Sequence, residues 1–259
     1  MVWLDCHDVD SALTSLAAAI GASALELEQA LLNYDDDRWA LRPNEAPEDQ
    51  TPLDVLEHFG TDVDHITERL AGAYCFHGTR VLDPQVFFRR GILPLDAMLE
   101  EIWAALREFS ELSAQEWATF RASVETDGGG DDGRRYRFKT GDRIHFGPHG
   151  MLVREIFLYP PAGTVDYLGC SEIPQDIAWC YQSAFGLDLE RRFCDASTPC
   201  IVKFRSTQRL SEAIDTALWY AFSRLRSGEL PSNTSGYTGE GRAVPAEDVV
   251  DVEVVPSRR

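Results

Sequence analysis

The 259-residue sequence predicts an α+β fold, with helices in the first part of the chain and short strands among helices in the second. Apolar residues recur at helical spacing up to about residue 70. After residue 72, short β-prone runs bounded by Gly and Pro lie unevenly between helical stretches, without a regular strand-helix-strand repeat. Neither an internal repeat nor a Rossmann glycine fingerprint is present in the sequence.

Residues 1–71 are predicted to form a small helical region. The first helix covers 10–20 and ends at Gly21, since glycine readily adopts the left-handed conformation that closes a helix. The second helix begins at Ser23, and its spacing from Glu26 is that of a capping box.

A third helix is predicted to begin at Thr51, after an acidic loop over residues 35–50. His58 and His65 lie seven residues apart on much the same face of this helix. An ordinary helix surface is favoured there over a pH-sensing or metal-binding role. The apolar stripe consists of Leu53, Leu56, Phe59, Val63, Ile66 and Leu70.

Residues 73–95, AYCFHGTRVLDPQVFFRRGILPL, combine strand, turn and helix signals. The apolar run 73–76 predicts a buried strand, and the tetrapeptide HGTR follows at its end. A short helix is then predicted between an N-cap at Asp83 and a stop at Gly91. A strand end with this composition is a typical place for ligand-binding groups, although a histidine that only bonds nearby backbone is the plain alternative.

The rest of the chain contains both helical and strand-like patterns of apolar residues. The Gly- and Asp-rich stretch 127–133 predicts a flexible linker. Helices are predicted over 96–109, 113–124, 173–185, 188–193 and 212–225. Strands are predicted over 135–139, 144–146, 151–158, 165–168, 200–205 and 249–255.

The charge balance argues against binding to duplex nucleic acid. The net charge is -19 and the pI about 4.6, and Lys139 and Lys203 are the sole lysines. There is no basic-plus-apolar signal at the N-terminus and no apolar run near the ~18 residues that span a bilayer. These features predict a cytoplasmic protein without a membrane partner.

The six cysteines form no C-x-x-C pair and mostly lie in apolar patterns, so buried reduced thiols are expected. His145 and His149 flank Gly147-Pro148 without a Cys or acid at zinc-finger spacing. No metal site is therefore predicted.

Three segments, in order, resemble the ADP-ribosyltransferase superfamily, especially its diphtheria-toxin and poly(ADP-ribose) polymerase branch. The first is HGT at 77–79, since the first strand of that branch ends in HGT or HGS. The second is YLGCSEIPQDIAWCY at 167–181, similar to the family's strand end and following helix, although the interval from Gly169 to Glu172 is shorter than in the polymerases. The third is 235–255, a Gly-rich turn with a glutamate before the last strand.

The resemblance implies roles for particular residues. It implies that His77, Gly78, Thr79 and Arg80 bind NAD. His77 and a hydroxyl would hydrogen-bond a ribose, and the Gly78 backbone would hydrogen-bond the nicotinamide amide. Arg80 would pair with the pyrophosphate. Ser171 caps the second helix and joins this set of cofactor-binding residues.

Tyr181 is expected to stack on nicotinamide, with Trp179, Tyr167 or simple core packing as alternatives. Glu240 is the expected catalytic carboxylate, because cleavage of the nicotinamide glycosidic bond develops positive charge on the ribose. Glu172 is its rival, and a solvated loop acid is the alternative for Glu240. Glu247 fits better as the turn before the closing strand.

Taken together, residues 72–259 are expected to form an ADP-ribosyltransferase-like domain with a split mixed β-sheet and flanking helices. The expected activity is transfer of ADP-ribose from NAD, as substrate, to an unknown target such as a protein. Two alternatives stay open: a non-catalytic ligand- or protein-binding module on the same fold, and an enzyme of the RNA 2'-phosphotransferase kind, which would need further arginines beside Arg80.

Overall fold

The computed structural model describes residues 1–34, 52–160, 165–231 and 234–256, and it is a mixed α+β structure. The loop predicted over 35–50 and the predicted N-cap Thr51 lie outside the described residues. The α+β prediction is confirmed.

A six-stranded sheet has the strand order β5-β3-β2-β4-β6, and β1 also pairs with β2. β1 runs parallel to β2, with Leu4 opposite Ala73, and β3 runs antiparallel to it, with Met151 opposite Phe76. The long strand β2 is therefore the centre of the sheet. The strands are β1 Val2–Leu4, β2 Leu70–Val81, β3 His149–Met151, β4 Thr198–Ser206, β5 Ser235–Thr238 and β6 Val249–Val254.

Twelve α-helices are present in the described part of the chain. They are α1 Val9–Ile20, α2 Ala24–Leu32, α3 Val55–His58, α4 Val63–Arg69, α5 Val86–Arg90, α6 Leu95–Glu108, α7 Ala114–Thr126, α8 Gly130–Gly141, α9 Glu155–Leu158, α10 Glu172–Phe185, α11 Leu189–Ala196 and α12 Leu210–Arg226.

The chain forms two compact units, each built from three segments. The first unit comprises Met1–Phe76, Gly150–Ala162 and Phe204–Tyr237, and the second comprises His77–His149, Gly163–Lys203 and Thr238–Arg259. The division at residue 71 that the sequence suggests stays a prediction.

The first unit has a core that is mainly aliphatic and small side chains, with Tyr220 and Phe222 among them. Helices α1, α2 and α12 pack together, and their apolar faces bury residues such as Leu16, Leu27 and Leu218. The capping box of Ser23 and Glu26 and the left-handed Gly21 are both as predicted, so the first two helices begin and end where their sequence signals lie.

The second unit has an aromatic core. The Trp103 indole N–H donates to the Tyr136 hydroxyl at 2.9 Å. Trp117 and Phe120 pack edge to face on Trp103, and Tyr181 packs edge to face on Phe120. Aromatic contacts of this kind add to the stabilisation from burial. They join α6, α7, α8 and α10 into one layer.

The predicted third helix is wrong as a single helix. Gly60 has φ +65°, and Asp62 caps a new helix by accepting the His65 N–H at 2.9 Å, so α3 and α4 are separate. His58 and His65 consequently belong to different helices, and the His65 ring lies 2.8 Å from the Asp62 carboxylate.

The strand predicted over 135–139 is also wrong, because these residues lie in α8. Two acids at the start of α8, Asp131 and Asp132, form ion pairs with Arg134 and Arg135 one turn later, at 3.0 and 3.6 Å. Helix formation here overrides the β preference of an aromatic-rich run.

The glycine- and aspartate-rich stretch 127–133 is not a long linker, since α8 begins inside it. A Cβ at Gly133 would come within 2.0 Å of the Gly128 carbonyl oxygen. This glycine therefore permits a close backbone approach instead of supplying flexibility.

Three shorter strand predictions are corrected as well. Residues 144–146 overlap a 3₁₀ turn, Arg143–His145, stabilised by the Asp142 carboxylate. Residues 165–168 form a turn held by Asp166, and most of 151–158 is not strand, since β3 ends at Met151 and α9 follows. The strand β1 was not predicted, being only three residues long.

Candidate functional site

The tetrapeptide HGTR lies inside β2, not after its end as the sequence suggests. Side chains alternate between the two faces of a strand, so His77 and Thr79 share one face and Gly78 and Arg80 the other. The burial pattern agrees, because His77 and Thr79 are half-buried whereas Gly78 and Arg80 are buried. The four residues therefore divide into two pairs with different surroundings.

His77 is held by a backbone carbonyl of the neighbouring strand. Its Nδ1 lies 2.8 Å from the carbonyl oxygen of His149. A carbonyl only accepts, so Nδ1 carries the proton and donates. Burial lowers the pKa of His77 from its ordinary value, which favours the neutral ring. Nε2 is then an acceptor, available to a hydroxyl or amide donor.

Thr79 contacts the first residue before α10. Its hydroxyl oxygen lies 3.1 Å from that of Ser171, which occupies the N-cap position of α10 with an extended backbone. No side-chain cap hydrogen bond forms at Ser171. The predicted capping position is correct, but the hydroxyl is directed to β2 and not to the helix.

Glu172, the next residue, belongs to a charge cluster in which Asp176 is buried and Glu172 and Lys139 are partly exposed. Lys139 Nζ lies 3.4 Å from Glu172 Oε2 and 2.9 Å from Asp176 Oδ2. Burial raises the pKa of Asp176, and the hydrogen bond from Lys139 opposes that rise. Lys139 therefore fixes Glu172 at the start of α10.

Glu172 also acts on two groups near β2. Burial lowers the pKa of His149, and the Glu172 carboxylate opposes this by raising it. Burial raises the pKa of the Tyr167 hydroxyl, and Glu172 raises it further. We call His77, Thr79, His149, Ser171 and Glu172 the His77 cluster.

Glu240 stands in a tight turn after β5. It is exposed, with φ +50°, a backbone conformation that residues other than glycine seldom adopt. The flanking N–H groups hold the turn in place: Gly239 donates to the Pro148 carbonyl at 2.8 Å, and Gly241 donates to the Gly147 carbonyl at 2.8 Å.

Two arginines lie at this turn. Arg242 is 3.8 Å from the Glu240 carboxylate. The Arg143 guanidinium lies against Gly241, where an added Cβ would be 3.4 Å from it. Both arginine residues are exposed. Positive charge is thus placed beside Glu240 in a chain whose net charge is -19.

The Glu240 turn and the His77 ring are attached to consecutive residues. The Pro148 carbonyl receives the Gly239 N–H, and the His149 carbonyl receives the His77 Nδ1–H. The structure thereby connects the predicted first and third motifs through one short backbone segment. His149 and Lys139, which this arrangement depends on, were not predicted site residues; the signal was a lysine in a chain with only two and a histidine after Gly-Pro.

Arg80 is engaged elsewhere. Its guanidinium donates to the Leu168 carbonyl at 2.8 Å, to the Cys194 carbonyl at 2.5 Å and to the Ser197 carbonyl at 2.9 Å. Its Nε donates to the Ser197 hydroxyl at 3.2 Å. This placement gives Arg80 a structural role, so the geometry provides no support for its expected contact with a pyrophosphate.

Tyr181 is fully buried among Trp117 and Phe120, and its hydroxyl accepts the Glu111 N–H at 3.2 Å. The stacking role expected of it is therefore corrected to core packing, the alternative that the sequence left open. Trp179 donates to Glu190 at 2.7 Å. Of the three aromatic candidates, Tyr167 lies within the field of Glu172.

Comparison with known proteins finds no match, whether with family models, curated proteins or solved structures. Within the described ranges, no group of three or more His, Cys, Asp or Glu side chains is placed to hold a metal ion. In the same residues, no single helix is long and apolar enough to cross a membrane; α1 and α2 pass that test only as a pair, with a bend of 105° between them.

Proposed function

We propose that the second unit binds NAD at the His77 cluster and transfers its ADP-ribose to an acceptor, with Glu240 as the catalytic carboxylate. The observation that carries this proposal is the attachment of the His77 ring and the Glu240 turn to adjacent carbonyls, those of His149 and Pro148. On this proposal, an imidazole acceptor and a carboxylate-bearing turn, each anchored by a hydrogen bond to the same short backbone segment, supply a ground-state contact and a transition-state contact to one substrate.

In the proposed reaction the bond between the ribose C1' and the nicotinamide nitrogen breaks, and nicotinamide leaves with the bonding electrons. The sugar passes through an oxocarbenium-like state, which a nearby carboxylate stabilises. An acceptor oxygen or nitrogen then bonds to C1' and loses its proton. Glu240 faces the developing charge, and Nε2 of the neutral His77 accepts a ribose hydroxyl proton in a hydrogen bond.

Two substrate contacts are reassigned relative to the sequence expectation. Arg143 and Arg242, at the Glu240 turn, take the pyrophosphate in place of Arg80, because guanidinium groups pair well with phosphate oxygens. Tyr167 takes the nicotinamide in place of Tyr181, since it is half-buried and near Glu172.

A thermal-shift assay with NAD, ADP-ribose and nicotinamide tests the proposal. A ligand that binds only the folded state raises the melting temperature in proportion to the logarithm of its excess over Kd. We expect NAD and ADP-ribose to raise it. Arg143→Gln with Arg242→Gln should reduce the shift from ADP-ribose but not that from nicotinamide, and Arg191→Gln, an exposed arginine on α11, is the matched control.

A non-catalytic binding module is the second candidate. The observation that favours it is the partner of Glu240: this exposed carboxylate lies 3.8 Å from Arg242, whose positive charge offsets part of the negative potential that an oxocarbenium centre would meet. Under this alternative, ADP-ribose raises the melting temperature while NAD incubated with the protein stays intact. No shift with millimolar NAD or ADP-ribose would reject both NAD-linked functions.

A further inference from the structure

Two thiols meet immediately before Ser171. The Cys194 S–H, at the end of α11, donates to the Gly169 carbonyl at 3.2 Å. The Cys170 thiol, one residue further along that turn, is hydrogen-bonded to Cys194. The Cys194 sulfur therefore contacts the peptide group that joins Gly169 to Cys170, although 24 positions separate the two cysteines in the sequence (194 minus 170).

The two thiols have opposite acidities. The hydrogen bond from Cys170 and the charge of Arg80 lower the pKa of Cys194. The same hydrogen bond and burial raise the pKa of Cys170. Cys194 is half-buried, whereas Cys170 is 3% exposed. Cys194 is therefore the more accessible of the two thiols and the one whose deprotonation is favoured, and Cys170 is the protected thiol beside it.

Three other cysteines, Cys75, Cys180 and Cys200, have raised pKa values because they are buried. Burial raises the pKa of Cys75 to about 12 and that of Cys200 to about 12. For Cys180, burial raises the pKa to about 11. Thiolate is the form that reacts with oxidants, so these three residues react slowly at neutral pH.

We infer that Cys194 and Cys170 form a peroxide-sensitive dithiol, with Cys194 as the residue first oxidised and Cys170 as the resolving thiol. The Cys194 thiolate attacks one oxygen of hydrogen peroxide, and the other oxygen leaves as hydroxide, which takes up the proton released from the thiol and becomes water. The sulfur is now a sulfenic acid. Cys170 then attacks that sulfur, its thiol proton joins the departing hydroxyl as a second water, and the disulfide forms.

A Cys170–Cys194 disulfide would affect the proposed NAD site through the residues next to each cysteine. Cys170 directly precedes Ser171 and Glu172 in the sequence. The Cys194 backbone carbonyl accepts a hydrogen bond from Arg80. A disulfide removes the hydrogen bond from the Cys194 S–H to the Gly169 carbonyl. It also links the segment before α10 covalently to α11.

The experiment is oxidation of the folded, full-length chain by hydrogen peroxide, followed by alkylation and peptide mass spectrometry. We expect a Cys170–Cys194 peptide pair lighter by about 2 Da than the two thiols together, reversible by dithiothreitol. Alkylation before oxidation should label Cys194 first, and at a lower pH than an ordinary thiol requires.

Three variants make the result decisive. Cys170→Ser should stop at a Cys194 sulfenic acid that dimedone traps, and Cys194→Ser should leave Cys170 reduced. Cys200→Ser, which removes a buried thiol, should leave the disulfide unchanged. A native protein in which Cys194 is oxidised without a bond to Cys170, or in which another cysteine reacts first, overturns the inference.

Discussion

The Nδ1 atom of His77 and the carbonyl oxygen of His149 lie 2.8 Å apart, and this single hydrogen bond decides which ring nitrogen a ligand meets. With Nδ1 engaged and the ring neutral, Nε2 can only accept. A histidine bonded to nearby backbone is thus what the structure shows, and that bond is itself what orients the other nitrogen.

His77→Ala is expected to raise the Kd for NAD about tenfold, since one hydrogen bond made in the bound ground state contributes about 1–1.5 kcal/mol. Isothermal titration calorimetry with NAD measures the change. His65→Ala is the control, because that exposed histidine belongs to the first unit, where its ring contacts the Asp62 carboxylate. An unchanged Kd for His77→Ala would remove His77 from the site.

Glu240→Gln should reduce NAD cleavage on the order of 10²-fold while NAD affinity stays near the wild-type value, because the change deletes charge that matters mainly in the transition state. Nicotinamide release over time measures the rate. Glu247→Gln, in the exposed 3₁₀ turn Ala246–Asp248, should behave as the wild type. If Glu172→Gln abolishes cleavage and Glu240→Gln does not, the catalytic carboxylate is Glu172.

Lys139→Met should destabilise the protein by about 3 kcal/mol, because it leaves the buried Asp176 carboxylate without its cation. The double variant with Asp176→Asn should recover much of that loss, since no unpaired charge remains. Urea unfolding at neutral pH measures both. Arg191→Met, which removes an exposed pair with Asp195, should change stability by less than about 0.5 kcal/mol.

The buried Asp176 carboxyl group also predicts how the free energy of unfolding changes with pH. The pKa of Asp176 is raised by burial above its ordinary 3.8, so between these two values the folded state binds more protons than the unfolded state. Stability from this group is therefore lost as pH rises from about 3.8 through the raised pKa. Relative to the wild type, Asp176→Asn should gain stability across that rise, and a loss instead would contradict the assignment.

Gly91→Ala should cost more than Gly60→Ala, although both glycines have positive φ, +72° and +65°. At Gly60 nothing lies within 4 Å of the added methyl group, so only the backbone penalty of about 1–2 kcal/mol applies. At Gly91 the methyl group would meet the Val244 carbonyl oxygen at 1.9 Å and disrupt the Ile92–Val244 backbone pairing. Equal losses in urea unfolding would show that this contact is relaxed at little cost.

Helices with explicit end signals could be predicted from the sequence. The capping box of Ser113 and Glu116 marks the start of α7, and the periodicity of residues 212–225 matches α12. These signals are local, since each depends on residues within one turn. The α8 helix could not be predicted in this way because Tyr136 owes its place to Trp103, 33 positions away.

The candidate site was predictable in residue type more than in geometry. The Thr79 and Ser171 hydroxyls, from the first and second motifs, lie 3.1 Å apart, while the roles expected of His77 and Glu172 stay predictions. Arg80 and Tyr181 are placed by the residues that surround their side chains in the folded protein. The spacing of residues along the sequence does not reveal those neighbours. The strained backbone of Glu240 is likewise invisible in a Gly-rich sequence.

The second unit joins three stretches of chain, and the Glu240 turn belongs to the last of them, Thr238–Arg259. During synthesis, residues 77–203 can collapse and pack their aromatic layer before that stretch has left the ribosome. The Glu240 carboxylate is therefore synthesised after the Gly147–Pro148 backbone to which its turn is hydrogen-bonded. On the proposed mechanism, a nascent chain gains the NAD-binding groups of residues 77–172 before it gains the carboxylate that cleaves NAD.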